Sequence, residues 1–260
     1  MAQQENAFVF HLKRKNGNPL FLLPFKTPTR LMDLLARADI RGRYGEEPMV
    51  EALTMLRNDL YRMADSAVRM WIGELRFIPR FLISTGVFLV AYFIGSYFIR
   101  DPIPLVDELV MGLVAAVIAY VWLGKRYSSS TQAARKRVEL RAAIDRIAFT
   151  ESAFLHRVEA LLHDNERSEA DAIRQIVSPG EQVLDAEERE EAEHLVAMLE
   201  SRFDLRKLRR EERVLRRFVE AGEPAAREQT IRRWLQLQKL DAPLYAIYKG
   251  FKHTVQPRRS

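Results

Sequence analysis

The chain is 260 residues long, carries a net charge of +6 from 41 basic and 35 acidic side chains, and has no cysteine. The missing thiol excludes disulfides, cysteine zinc sites and thiol nucleophiles, and the length admits one large domain or two small ones. Charge is segregated: residues 1–80 hold 13 basic and 9 acidic groups, residues 81–124 one and three, and residues 125–260 27 and 23. Two charged arms therefore flank an apolar middle.

The opening MAQQENAFVFHLKRK has only AFVF before a basic cluster, too short for the apolar region of a secretory leader, and no leader is expected. In FVFHLKRKNGNPLFLLPF, Phe8, Phe10 and Leu12 alternate, Asn16-Gly17 marks a turn, and a second apolar run follows. This predicts a β-hairpin whose second strand, carrying Pro19 and Pro24, is restricted to an edge. An isolated hairpin is marginal, so it is expected to pack on a helix entered through the N-cap Thr27 and presenting Leu31, Leu34 and Leu35. Together these form an N-terminal cytoplasmic segment, residues 1–47. The alternative places PLFLLPF in a membrane interface.

Residues 48–79 read as a stalk helix. Met49, Leu53, Leu56, Leu60, Met63, Ala67 and Met70 alternate steps of four and three, a heptad seam, and Pro79 marks a kink or break at its end.

Two nearly charge-free runs follow, at about residues 81–99 and 105–124. At a rise of ~1.5 Å per residue each covers most of a ~30 Å hydrocarbon core, which predicts a transmembrane hairpin over residues 80–124. The joint RDPIP is short, and its two prolines push their preceding residues into extended geometry, so the spans are expected to be antiparallel neighbours. Arg69, Arg76 and Arg80 precede the first span, and Lys125, Arg126, Arg135, Lys136 and Arg137 follow the second, whereas the loop has only Arg100. By the positive-inside rule both arms and both termini are cytoplasmic. Ala91 and Gly95 in the first span, and Gly112 and Ala116 in the second, are small residues that let helices approach closely. They are expected to pack within one chain or between subunits.

Three acids sit at this joint: Asp101, Asp107 and Glu108. Ionisable groups at membrane depth usually mark function, but the cost falls steeply towards the interface, and a carboxylate in a first helical turn is favoured by the helix dipole. The plain expectation is that Asp101 or Asp107 caps the second span. The sharper one is an acidic ring attractive to cations, built from Asp107 or Glu108 repeated around an oligomer axis. In its two spans, short acidic linker and helical arms on one side, the chain is similar in plan to the mitochondrial calcium uniporter. It lacks that family's Trp-Asp followed one turn later by Glu: its acids are adjacent, in LVDELV, and no Trp precedes them.

Residues 125–177 read as a second stalk helix, with Leu140, Ile144, Ile147, Glu151, Leu155, Val158 and Leu162 on a seam that contains one stutter. The two seams are expected to form an antiparallel stalk, with an intermolecular coiled coil as the alternative. Ser178-Pro179-Gly180 breaks the chain, and residues 178–260 are expected to form a helical bundle, entered through a capping box at Asp185 and Glu188. Within it, LRKLRREERVLRRF crowds Arg206, Lys207, Arg209, Arg210, Arg213, Arg216 and Arg217 onto one helix. The favoured reading is a solvated face partly neutralised by Glu211 and Glu212. Contact with anionic lipid headgroups is the second, and nucleic-acid binding, without a recognition motif, the weakest. The aromatic and basic tail around Tyr245, Tyr248, Lys249, Phe251 and Lys252 reads as a docking edge.

No phosphate-binding glycine loop, Gly-x-Ser-x-Gly elbow or His-Glu-x-x-His motif occurs. The densest titratable group is HRVEALLHD, with His156, Glu159, His163 and Asp164. A helix face there offers metal-ligand spacing, although histidines beside a seam more often sit at the water boundary. The expected protein is mainly α: a two-span hairpin extended by a cytoplasmic coiled-coil stalk and helical bundle, with a small N-terminal β-hairpin. The expected role is a membrane-anchored adaptor or scaffold of the bacterial inner membrane. It would have no enzyme activity, no cofactor and no metal. Its partners would be the bilayer and a protein partner or a second copy, and not nucleic acid. The alternative is an oligomeric cation channel or transporter subunit.

Overall fold

In the N-terminal stretch the alternating Phe8, Phe10 and Leu12 build strand β1 (Asn6–Lys13), and the chain turns through Gly17, whose φ of 78° favours a residue without Cβ. Strand β2 (Pro19–Leu22) returns antiparallel, Lys13 opposite Pro19 and Phe10 opposite Leu22. The computed structural model describes residues 6–98, 106–180, 182–203, 205–221 and 224–255. Thr27 opens helix α1 (Pro28–Arg37), its hydroxyl accepting the Arg30 N–H, and α1 leads to β3 (Asp39–Tyr44), which pairs parallel to β1. The sequence reading contained a hairpin alone, and β3 is an addition to it. The sheet is also covered on both faces of β1: Ala7, Val9 and His11 are buried as well as Phe8, Phe10 and Leu12.

After β3 come four helices: α2 (Val50–Leu75), α3 (Phe77–Phe98), α4 (Asp107–Ser128) and α5 (Thr131–Asp145). Only then does β4 (Phe149–Glu151) pair parallel to β3, giving the order β2-β1-β3-β4. A Cβ on Gly42 would lie 2.5 Å from the Phe149 ring, so the bare glycine backbone accommodates the aromatic opposite it. The helices from α2 to α5 are thus an insertion in the crossover between two neighbouring parallel strands.

The expected stalk differs in two respects. The apolar stripe of α2 runs through Leu56, Leu60, Ala64, Val68 and Ile72 in steps of four, while Met49 and Met70 are 63% and 41% exposed. The small Ala64 and Ala67 are the residues that draw the stripe round. The second stalk helix is not continuous: α5 ends at Asp145, the chain passes through β4, and α6 (Ala153–Arg167) restarts where Ser152 accepts the Leu155 N–H. The stutter at Glu151 is this strand and cap. The α2 and α5 helices do run antiparallel: Tyr61 hydrogen-bonds Asp145, Arg141 and Arg137 pair with Asp65, and Arg76 lies over Tyr127.

Helices α3 and α4 are long and apolar enough to cross a membrane and pack closely on each other. A Cβ on Gly112 would sit 3.1 Å from the Phe88 ring and 3.2 Å from its carbonyl oxygen, and one on Gly95 would meet Met111 and Glu108. At the other end Arg80 donates from Nε to the Tyr120 carbonyl at 2.8 Å and lies 3.6 Å over the Tyr120 ring, with Gly124 leaving room for the guanidinium. Gly112→Leu is expected to force α3 and α4 apart and to cost about 1–3 kcal/mol, read as a lower unfolding temperature of the detergent-purified protein. Gly86→Leu is the control, since a Cβ there meets nothing within 4 Å.

The remaining chain is helical: α7 (Glu169–Val177), α8 (Ala186–Phe203), α9 (Leu205–Ala221), α10 (Pro224–Leu237) and α11 (Ala242–Val255). Asp185 and Glu188 form the reciprocal capping box at the start of α8, the Glu188 N–H on Asp185 at 2.8 Å and the Asp185 N–H on Glu188 at 3.1 Å. Helix α11 is buried along its middle, with Tyr245, Ile247, Tyr248 and Phe251 in a core shared by Phe154, Leu155, Leu195 and the strand residues Phe8, Phe10 and Leu22. Two expectations change here. The tail is a central core helix and not a docking edge, and residues 1–47 and 178–260 are not separate segments. One compact unit draws on residues up to 26, 34–57 and from 147 onward, and a second on residues 27–33 and 58–146.

Candidate functional site

Four places hold the chemistry. The first is the start of α4. Asp101 lies outside the described residues. Asp107 is exposed in the first turn, but the N-cap position is Val106, without a side-chain cap, so Asp107 does not cap the helix as expected. Glu108 is 1% exposed and packs against the Gly95 face of α3, where its Oε1 has no hydrogen-bond partner among the described residues. Gly95 and Gly112 are buried at the α3–α4 contact, and Ala91 and Ala116 are half-buried.

The second is helix α9. Leu208, Leu215 and Val219 hold it on the core, while Arg209, Arg210, Arg213, Arg216 and Arg217 are exposed. Arg206 and Lys207 belong to the same helix, and nothing further is described of their side chains. Glu212, expected to neutralise the arginines, instead pairs with Lys249 and lies 3.4 Å from the Tyr245 hydroxyl.

The third is a pair of buried carboxylates that join helices to the sheet. Glu159 is 2% exposed and accepts the backbone N–H of Lys13 at 2.8 Å and of Glu46 at 2.7 Å. Burial raises its pKa, against the pull of those two N–H groups. Next to it His163 Nε2 meets the Lys13 carbonyl at 2.8 Å, and His156 Nε2 meets Glu151 at 2.8 Å. Of the HRVEALLHD group, then, Glu159 and His163 are occupied by backbone and His156 by a separate acid. No set of three or more His, Asp or Glu among the described residues is arranged to hold a metal. Glu191 is buried likewise: Ser152 donates to it at 2.5 Å and the Arg43 guanidinium lies 3.1 Å away, itself over the Phe8 ring. Burial raises the Glu191 carboxyl too. The Arg43–Glu191 pair is not legible in the sequence reading, although Glu191 steps by four onto Leu195 and Leu199, an apolar face on which an acid is out of place. Ser152 is fully engaged, accepting from Leu155 and donating to Glu191, and so serves as a cap. His11, a buried residue of β1, is held below the ordinary imidazole range by desolvation, against a backbone hydrogen bond to Glu46 that raises it.

The fourth is a cleft of about 570 Å³ among α7, α9, α10 and α11. Ile176, Val177, Leu215 and Ile231 line it, and Arg216 and His253 are among its polar residues. Behind it Tyr248 donates to Glu200 at 3.0 Å and Lys252 to Glu200 at 2.7 Å. Burial pushes both Tyr245 and Tyr248 above the ordinary phenol range. Compared with known proteins, the chain matches no family model, no curated protein and no solved structure.

Proposed function

We propose that the chain is a membrane-anchored adaptor. In this reading α3 and α4 cross the bacterial inner membrane as an antiparallel pair with both termini cytoplasmic, and the unit built around the four-stranded sheet is presented to a protein partner. The observation that carries the reading is the exposure of the two apolar helices: only 6% and 17% of their most apolar stretches are buried. An apolar surface of that extent on a soluble chain would drive aggregation. Basic residues flank both helices at the same end of the hairpin, and the buried Glu159, Glu191 and Ser152 of the sheet unit are engaged as caps and ties.

The test combines extraction and capture. Membranes from cells expressing the full chain are washed with alkaline carbonate, and a photo-cross-linking residue is placed at exposed positions of the sheet unit. The protein is expected to stay with the membrane and to cross-link to a discrete partner. Release into the wash sinks the anchor, and the absence of any discrete adduct sinks the adaptor role. The second reading, a cation conduit, needs an acid facing an oligomer axis. With Glu108 turned against α3, Asp107 is the acid at this joint left exposed for it among the described residues, and cation flux into liposomes that is lost on Asp107→Asn would favour it over the adaptor.

A further inference from the structure

Helix α9 carries its charge on one side. At ~100° per residue, Arg209, Arg210, Arg213, Arg216 and Arg217 fall within an arc of about 120°, and the position of Arg206 lies in the same arc. All five described arginines are exposed, and none forms a salt bridge among the described residues, Arg209 alone acting on a carboxylate, Glu200, from longer range. Glu212 is turned away onto Lys249, and the position of Glu211 falls outside the arc. Glu220, in the last turn, is the one acid inside it. The opposite face is anchored by Leu208, Leu215 and Val219, so the arginines cannot roll inward to find partners. About 40° beyond the arc, Val214 is 49% exposed.

We propose that this face docks on an anionic bilayer surface. The inference rests on the membrane-anchor reading, which keeps the helix close to headgroups at high effective concentration. A row of guanidinium groups with a single acid, Glu220, at its end matches a layer of phosphates, which Arg binds through several N–H donors at once. Val214 adds an apolar side chain at the depth where headgroups meet acyl chains. A single-stranded nucleic acid would draw on the same charge but also on exposed aromatic platforms for its bases, and the arc has none.

The chain has no cysteine, so Val214→Cys gives one labelling position for an environment-sensitive fluorophore. The labelled full-length protein is placed in nanodiscs of phosphatidylcholine alone or mixed with phosphatidylglycerol. A blue shift, with quenching by a lipid-borne quencher, is expected in the anionic discs only. It should disappear in about 1 M salt, where the screening length is ~3 Å. Arg210→Gln and Arg213→Gln should each lower the docked-to-undocked ratio roughly fivefold, with unchanged circular dichroism. Equal signals in the two disc types overturn the proposal. So does silence in anionic discs combined with an arginine-dependent shift on adding a single-stranded oligonucleotide. Failure of the protein to enter discs sinks the anchor reading alone. The labelled protein mixed with phosphatidylglycerol vesicles then still tests the face, and an unshifted signal there overturns it.

Discussion

Glu159→Ala is expected to destabilise the protein by about 2–6 kcal/mol, from ~1–3 kcal/mol for each of the two backbone N–H groups left without its acceptor. The two donors, Lys13 and Glu46, lie at the ends of β1 and beyond β3, so the one carboxylate ties α6 to both strands. Gly45 is part of the same arrangement: a Cβ there would come within 2.2 Å of Glu159 Oε2 and 3.0 Å of the His156 backbone nitrogen. Gly45→Ala alone should therefore displace the carboxylate and cost a similar amount. In the Glu159→Ala background it should cost clearly less, because the larger clash has gone. Denaturant unfolding of the four proteins of that cycle measures the coupling, and strictly additive losses would show that Gly45 and Glu159 act independently. Glu159→Gln adds a pH readout. Burial raises the folded pKa of Glu159 above its ordinary 4.5, so the folded state takes up a proton before the unfolded one. Its contribution to stability is complete below 4.5 and is lost as the pH rises through the folded value. The wild type should gain on the Gln variant as the pH falls from neutral to 4.5, and parallel pH profiles would contradict the assignment.

Replacing residues 58–146 by a flexible linker of about 12 residues, long enough for a parallel crossover, is expected to yield a protein that is soluble without detergent and unfolds cooperatively. The basis is that the core cluster from Phe8 to Phe251 contains no residue of the excised segment. The excised segment enters after β3 and leaves before β4, which are hydrogen-bonded neighbours. Leu31, fully buried in the part of α1 assigned to the hairpin unit, loses its cover on excision and is changed to Gln in the same variant. Size-exclusion chromatography, circular dichroism and thermal unfolding check the result. Aggregation, or a helical spectrum without a cooperative transition, would mean that the sheet unit depends on the insertion for its fold.

Where an element follows from its own residues, it was readable. The Asn16-Gly17 turn, the edge position of the proline-bearing β2, the capping box of Asp185 and Glu188, and the two long apolar helices all depend on neighbours within one or two turns of chain. Of the expected stalk, α2 and α5 are present and run antiparallel, but the alternating steps of the expected seam omit Ala64, which counts as apolar surface only once a partner helix is close. The break at residues 146–152 has the look of a stutter in sequence, with Glu151 on an apolar seam, whereas the helix stops at Asp145.

The candidate sites divide along the same line. The exposed arginines of α9 are visible in the composition of one helix, yet whether they stand unneutralised depends on Glu212, which finds Lys249 on another helix. The HRVEALLHD group offered ligand spacing, but its central acid is taken by amides 146 and 113 residues away in the chain. β3 and β4 are short strands whose pairing joins Gly42 to Phe149 across the whole insertion, and the tail becomes a core helix because α6, α7 and α8 close around it. Partition between water and an apolar medium belongs to each segment alone, so composition and periodicity report it. Which carboxylate meets which amide depends on closing loops of more than a hundred residues, and that closure is set by packing.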